Sequence, residues 1–160
     1  MDKEAEHIFL QTLEKEKDRI FRICNTYAND SEDARDLFQE VVYNFWKSLP
    51  NFQGKSSIST WLYRIAINVC LKQKARKRIE TIRHVEVENF EERVQANPHL
   101  EALYLAIKRL DKVDRALIML YLEELPYKEI AQITGLTENH IAVKMKRIRE
   151  KLSRHIKAYI

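Results

Sequence analysis

Wound at 3.6 residues per turn, Ile141, Met145, Ile148, Leu152, Ile156 and Tyr159 fall on one narrow apolar stripe. A stripe of that kind predicts a helix from Thr137 to about Tyr159, packed through this side against the core of a helical bundle. The opposite side is then solvent-facing. It carries Asn139, Val143, Lys146 and Arg147, with His140 and Lys144 flanking them.

The residues leading into this helix have the arrangement of a helix-turn-helix over about 127–146. Ile130, Ala131 and Ile133 form an inner face, and the small Ala131 lets two helices approach closely. Gly135 allows the turn, Leu136 plugs the corner and Thr137 caps the next helix. The outward amide, cations and valine are groups that read base edges or grip phosphate in a major groove. Seven Lys or Arg residues between Lys144 and Lys157, against the single acid Glu150, add charge for neutralising a DNA backbone. The alternative is a merely solvated basic face on a helical hairpin.

Upstream, the chain holds to helical periods. It has only two glycines and three prolines, so tight turns are scarce, and helix formers dominate. Ile8, Leu13, Ile20, Phe21, Ile23 and Cys24 predict a long first helix ending near Tyr27; Asn29, Asp30 and Ser31 supply the next cap. Leu37, Val41, Phe45 and Leu49, with Phe38, Val42 and Trp46 beside them, predict a second helix to about Ser48, stopped by Pro50. Residues 51–57 form a polar loop with an isolated aromatic, Phe52. A third helix follows from Ser57 or Ser59, its inward face Ile58, Leu62, Ile65, Ala66 and Val69, ending in a basic tail from Lys72 to Arg78. Residues 79–98 lose periodicity, turn acidic and close on Asn97-Pro98, as a flexible linker with at most a short helical turn would. Four helical segments follow, over 100–110, 113–124, 127–134 and from Thr137 onward. The expectation is an all-α chain of two small helical bundles: residues 1–78, linker 79–98, residues 99–160.

Several functions are disfavoured. Cys24 and Cys70 sit among apolar residues with no second Cys or His at metal-ligand spacing, so they are expected to be buried thiols in a reducing cytoplasm. No apolar run resembles a signal peptide or approaches a membrane span. Paired carboxylates, a Cys/His site and a glycine-rich phosphate loop are all missing, so neither an enzyme, a catalytic residue, a metal, a cofactor nor a small-molecule substrate is expected.

Residues 33–46 with 57–68, and residues 110–152, resemble two characteristic domains, regions two and four, of bacterial RNA polymerase sigma factors of the extracytoplasmic function (ECF) group. That resemblance covers nearly the whole chain. It implies a dissociable specificity subunit that binds core RNA polymerase, recognises promoter DNA, helps melt it, and is commonly held inactive by an anti-sigma protein. By the same resemblance, Asp36, Gln39 and Glu40 dock on the polymerase; their spacing puts them on one side of a helix. The rival is a solvated acidic face. The loop from Asn51 to Ser57 and the helix after it resemble the reader of the minus-ten element, which takes an unstacked base into a pocket. Asn51, Phe52, Lys55, Ser56, Trp61, Arg64 and Asn68 are the residues this would use, with Trp61 as a plain core residue the rival. The helix from Thr137 resembles the reader of the minus-thirty-five element through Asn139, His140, Val143, Lys144, Lys146 and Arg147. Here the family's usual glycine-threonine-valine-lysine-serine pattern is replaced by Asn139 to Val143, so the resemblance carries over the fold and not the recognised sequence. A region-three domain and an acidic leader are not expected in 160 residues. A one-component regulator, with residues 1–78 as a dimerisation or ligand bundle, is the rival for the whole chain.

Overall fold

The computed structural model describes residues 3–72 and 90–159, the side chains of residues 90–92 excepted. Among the described residues every regular element is helical. They divide into two compact units, up to residue 88 and from residue 89 onward.

The first unit contains α1 (Lys3–Tyr27), α2 (Ser31–Ser48), a single 3-10 turn (Leu49–Asn51) and α3 (Ile58–Leu71). Asp30 caps α2 by accepting the Asp33 N–H at 2.8 Å, while the Asp33 carboxylate accepts the Asn29 N–H at 2.9 Å. These reciprocal bonds satisfy donors that a bare helix start leaves open. Pro50 cannot donate to a continuing α-helix, and the chain tightens into the 3-10 turn there. Ser57 caps α3 through the Thr60 N–H at 3.1 Å.

Leu13, Ile20, Phe21, Ile23 and Cys24 of α1 meet Leu37, Phe38, Val41, Val42 and Phe45 of α2 in the core. Two faces differ from the sequence reading. Ile8 is exposed, and its neighbour Phe9 turns inward, stacked on Phe45 at 5.3 Å and against Trp46 at 4.9 Å. In α3 the buried set is Leu62, Tyr63, Ala66, Ile67 and Cys70, whereas Ile58, Ile65 and Val69 are half-buried. The inward face is thus rotated by about 100°, one residue's turn, from the one expected. Because α3 is apolar around most of its circumference, periodicity alone does not fix which arc is inside. Packing against both α1 and α2 does. Cys24 and Cys70 are buried free thiols.

The second unit contains α4 (Phe90–Gln95), α5 (Pro98–Lys108), α6 (Lys112–Leu122), α7 (Tyr127–Thr134) and α8 (Glu138–Lys157). Asn97 caps α5 by accepting the His99 and Leu100 N–H groups, with Pro98 at the first helical position. Thus the last residues of the expected linker begin a helix. Residues 79–89, and the basic tail beyond Lys72, lie outside the described residues. Asp111 caps α6. Gly135 adopts φ 80°, the left-handed conformation that closes α7, and its N–H donates to Ala131 O at 2.8 Å.

Ile107, Leu117, Ile118, Leu120, Ile130, Ile141, Met145 and Ile148 form the core of this unit. Ala131 and Leu136, expected at the inner corner, are half-buried. The α8 stripe is packed as far as Leu152, half-buried at Ile156, and lost at Tyr159, which lies past the helix end and is 42% exposed. No described helix is long and apolar enough to cross a membrane.

Candidate nucleic-acid interface

Thr137 starts α8 by accepting the His140 N–H at 3.1 Å, so the helix emerges directly from the Gly135 turn. Ile141, Met145 and Ile148 are at most 1% exposed, whereas Val143, on the opposite side, is 53% exposed. Asn139, His140, Lys146 and Arg147 share that solvent side. An amide, an imidazole, a methyl-bearing group and two cations therefore stand together on one rigid face. Among the described residues Lys146 and Arg147 have no ion-pair partner.

Lys144 is placed differently. It is half-buried, and its Nζ stands 3.9 Å from Asp114 Oδ1; Lys151 Nζ stands 3.8 Å from Asp114 Oδ2. Burial pushes the Asp114 carboxyl above its ordinary range, the neighbouring Asp111 charge adds to this, and the two lysines pull it back. The Arg149 guanidinium lies 5.4 Å from the centre of the Tyr121 ring. Of the basic run, then, part is spent on the domain itself.

In the first unit, Phe52 and Trp61 are both half-buried and meet with ring centres 5.5 Å apart at 59°. Trp61 is therefore neither a full core residue nor a solvent-exposed one. Its indole N–H is buried with no hydrogen-bond partner among the described residues. Gly54 takes φ 73° at the tip of the loop. Ser56 Oγ donates to Ser57 O at 3.1 Å. Asn51, Lys55, Arg64 and Asn68 are exposed. The loop brings Phe52 and Ser56 to a cleft of about 560 Å³, whose other wall is Ile8, Thr12 and Ile58. The contribution of α1 to this cleft was not legible in the sequence, where Ile8 counted as a core residue. Arg64 and Asn68 continue along the solvent side of α3, one and two turns beyond Trp61.

On α2, Asp36 is exposed and Gln39 and Glu40 are half-buried, the buried side being taken by Leu37, Phe38, Val41 and Val42. Among the described residues no group of His, Cys, Asp and Glu is placed to hold a metal ion.

Both units match known family models. Residues 12–79 match Sigma-70 region 2, and residues 100–152 match Sigma-70, region 4. The chain belongs to the sigma-70 family, in its ECF group. A stretch of 48 residues is 48% identical to the ECF RNA polymerase sigma factor SigG of Mycobacterium tuberculosis, covering 30% of this chain and 13% of that protein. The ECF RNA polymerase sigma factor SigW of Bacillus subtilis is 24% identical over 93% of this chain and 89% of that protein. The fold is also that of the sigma factor RpoE in its complex with the anti-sigma factor NepR from Bartonella quintana. The TM-score is 0.67 at 18% identity, covering 98% of each chain.

In sigma-70 terms, α7 and the part of α8 up to Leu152 lie within the region 4 match, and α2, the loop and α3 lie within the region 2 match. Every residue the sequence nominated therefore falls inside one of the two matched regions. The residue it missed is Asp114, whose pairing with α8 no local pattern reveals.

Proposed function

We propose that this chain is an alternative, signal- or stress-responsive sigma factor: it binds core RNA polymerase and directs initiation at specific promoters, under the control of an anti-sigma protein. One observation carries the reading. The side of α8 opposite its packed stripe is open and bears Asn139, His140, Val143, Lys146 and Arg147.

Asn139 and the cations supply hydrogen bonds to base edges in a major groove, and Val143 an apolar contact. Lys146 and Arg147 also neutralise phosphates, which fixes register. Residues 99–160 thereby read the minus-thirty-five element, with Lys144 at the margin of the surface.

Residues 1–78 read the minus-ten element and hold the polymerase. Extracting a base from the duplex costs a few kcal/mol, and stacking on an aromatic side chain offsets ~1–3 kcal/mol of it. Phe52 and Trp61 offer that stack. Asn51, Ser56 and Asn68 offer polar contacts to the base, and Lys55 and Arg64 contacts to the strand. Asp36, Gln39 and Glu40 present carboxylates and an amide to cationic groups of core polymerase. The chain between the two units, about residues 79–88, tethers the two domains.

No covalent chemistry is assigned to the chain, and it uses no cofactor, catalytic residue or small-molecule substrate. It acts in the cytoplasm without entering a membrane. The Bartonella relative, in complex with an anti-sigma factor, supports a protein inhibitor of the same kind here. Run-off transcription with purified core polymerase tests the proposal. Specific initiation is expected only when chain and core are both present. Tight, sequence-specific DNA binding by the chain alone, with no effect on core polymerase, would instead identify a one-component regulator.

A further inference from the structure

Asp114 sits in the first turn of α6 and is 7% exposed. Each of its carboxylate oxygens faces a different lysine of α8: Oδ1 is 3.9 Å from Lys144 Nζ and Oδ2 is 3.8 Å from Lys151 Nζ. Those lysines are two helical turns apart, so they rise from one side of α8 separated by about 10 Å along its axis. One buried anion thus holds the helix at two points, which fixes its rotation as well as its position. The first-turn location suits the anion, because the start of α6 presents open N–H groups and the positive end of its dipole. One of those donors, the Asp114 N–H itself, is taken by the Asp111 cap at 2.9 Å.

Removing a carboxylate from water is costly, and well-packed apolar residues would hold two helices together at least as well. The stabilisation of the bundle therefore gives no sufficient reason for a charge here. Its effect on the surface gives one. Lys144 and Lys151 are two of the seven cations between Lys144 and Lys157, and Lys144 borders the face that carries Val143 and Arg147. Freed, both ammonium groups would reach for phosphates, which strengthens binding to any DNA regardless of sequence.

We infer that Asp114 is a positioning residue that sets the specificity of the α8 surface. It withholds Lys144 and Lys151 from the DNA backbone and fixes which side chains of α8 meet base edges. The inference rests on the reading of α8 as a DNA-recognition helix.

The test is binding of the full chain to a random-sequence DNA duplex, followed by fluorescence anisotropy over a salt series. Asp114→Asn removes the charge at nearly constant shape. It is expected to bind this DNA more tightly and to steepen the plot of log K against log salt by about 0.9 per released lysine. That amounts to roughly threefold per lysine between about 50 and 200 mM salt. Adding Lys144→Met to Asp114→Asn is expected to cancel about half of that gain. A role in stability alone would weaken DNA binding and lower the melting temperature without steepening the slope.

Should Asp114→Asn fail to fold, two surface variants decide the matter. Lys144→Met in the otherwise unchanged chain leaves the slope as it was, whereas Lys146→Met makes it shallower by about 0.9. Equal losses in these two variants, or a folded Asp114→Asn with an unchanged slope, would overturn the inference while leaving α8 as a DNA-binding helix. No binding by the unsubstituted chain even at low salt would overturn the inference, and the reading of α8 as well if run-off transcription with core polymerase also fails.

Discussion

Tyr63 on α3 donates a 2.6 Å hydrogen bond from its phenol to Glu16 Oε2 on α1, in the interior of the first unit. The Glu16 side chain is 3% exposed, and Arg19 Nη1 lies 3.9 Å from the same oxygen. Polar groups buried this deeply hold helices in one relative position, because a shift leaves a carboxylate without its donor. Tyr63→Phe keeps the ring and removes that donor. It is expected to destabilise the chain by about 1–3 kcal/mol, the cost of an under-satisfied buried acceptor, as read by chemical denaturation.

The same pair sets an alkaline limit. Burial, reinforced by the hydrogen bond to Glu16 and its charge, pushes the Tyr63 phenol far above its ordinary value of 10.0. A pKa raised in the folded state means that the native phenol keeps its proton where the unfolded one loses it. Its contribution to stability is therefore complete below pH 10.0 and is lost as pH rises above that value. Denaturation midpoints of the unsubstituted chain should fall steeply above this pH, and those of Tyr63→Phe less steeply. Parallel alkaline limbs would count against the assignment.

Gly135 carries a backbone penalty for any replacement. Its φ of 80° is left-handed, yet a Cβ at this position would meet no atom within 4 Å. Gly135→Ala is thus expected to cost about 1–2 kcal/mol through conformation alone. Because this turn sets where α8 emerges, transcription in vitro should fall more than thermal stability at moderate temperature.

Much of this architecture was legible in the sequence because helix boundaries are written locally. Asp30, Ser57 and Thr137 cap helices through their own side chains as their residue types suggest, and Gly135 marks its turn; Asn97, read as the end of a linker, and Asp111, read as a break, also turn out to be caps. Rotation about a helix axis was less legible where a helix is apolar on most sides. In α3 only contact with α1 and α2 decides that Tyr63 and Ile67 are inside while Ile65 is half-exposed. The α8 surface was readable from the stripe Ile141, Met145, Ile148. Long-range pairings were not readable at all: neither Asp114 with Lys144 nor Glu16 with Tyr63 leaves a trace in local spacing.

Val143 gives the minus-thirty-five reading a test at the level of one methyl group. At 53% exposure it is an apolar side chain in the middle of an otherwise polar face. The C5-methyl of thymine is the apolar feature of the major groove. Replacing thymines of the minus-thirty-five element by deoxyuridine, one at a time, removes only that methyl. One position is expected to lose roughly threefold to fivefold in transcription, a loss of order 0.8 kcal/mol for a buried carbon group. With Val143→Ala the same substitution should matter less; equal sensitivity at every position would rule Val143 out as the reader.

Trp61 separates the fold from the function of the first unit. Its ring packs on Phe52, while its indole N–H is buried without a partner among the described residues. A donor left in that condition costs about 1–3 kcal/mol, so the fold gains nothing from the nitrogen. Trp61→Phe keeps an aromatic surface against Phe52 and deletes the donor; its melting temperature should equal or exceed that of the unsubstituted chain. If the donor serves an unstacked base of the minus-ten element, the same variant melts promoter DNA several-fold less well. Permanganate reactivity of thymines in the opened strand, measured on holoenzyme, reads this directly. Unchanged reactivity, together with a lowered melting temperature, would return Trp61 to the role of a packing residue.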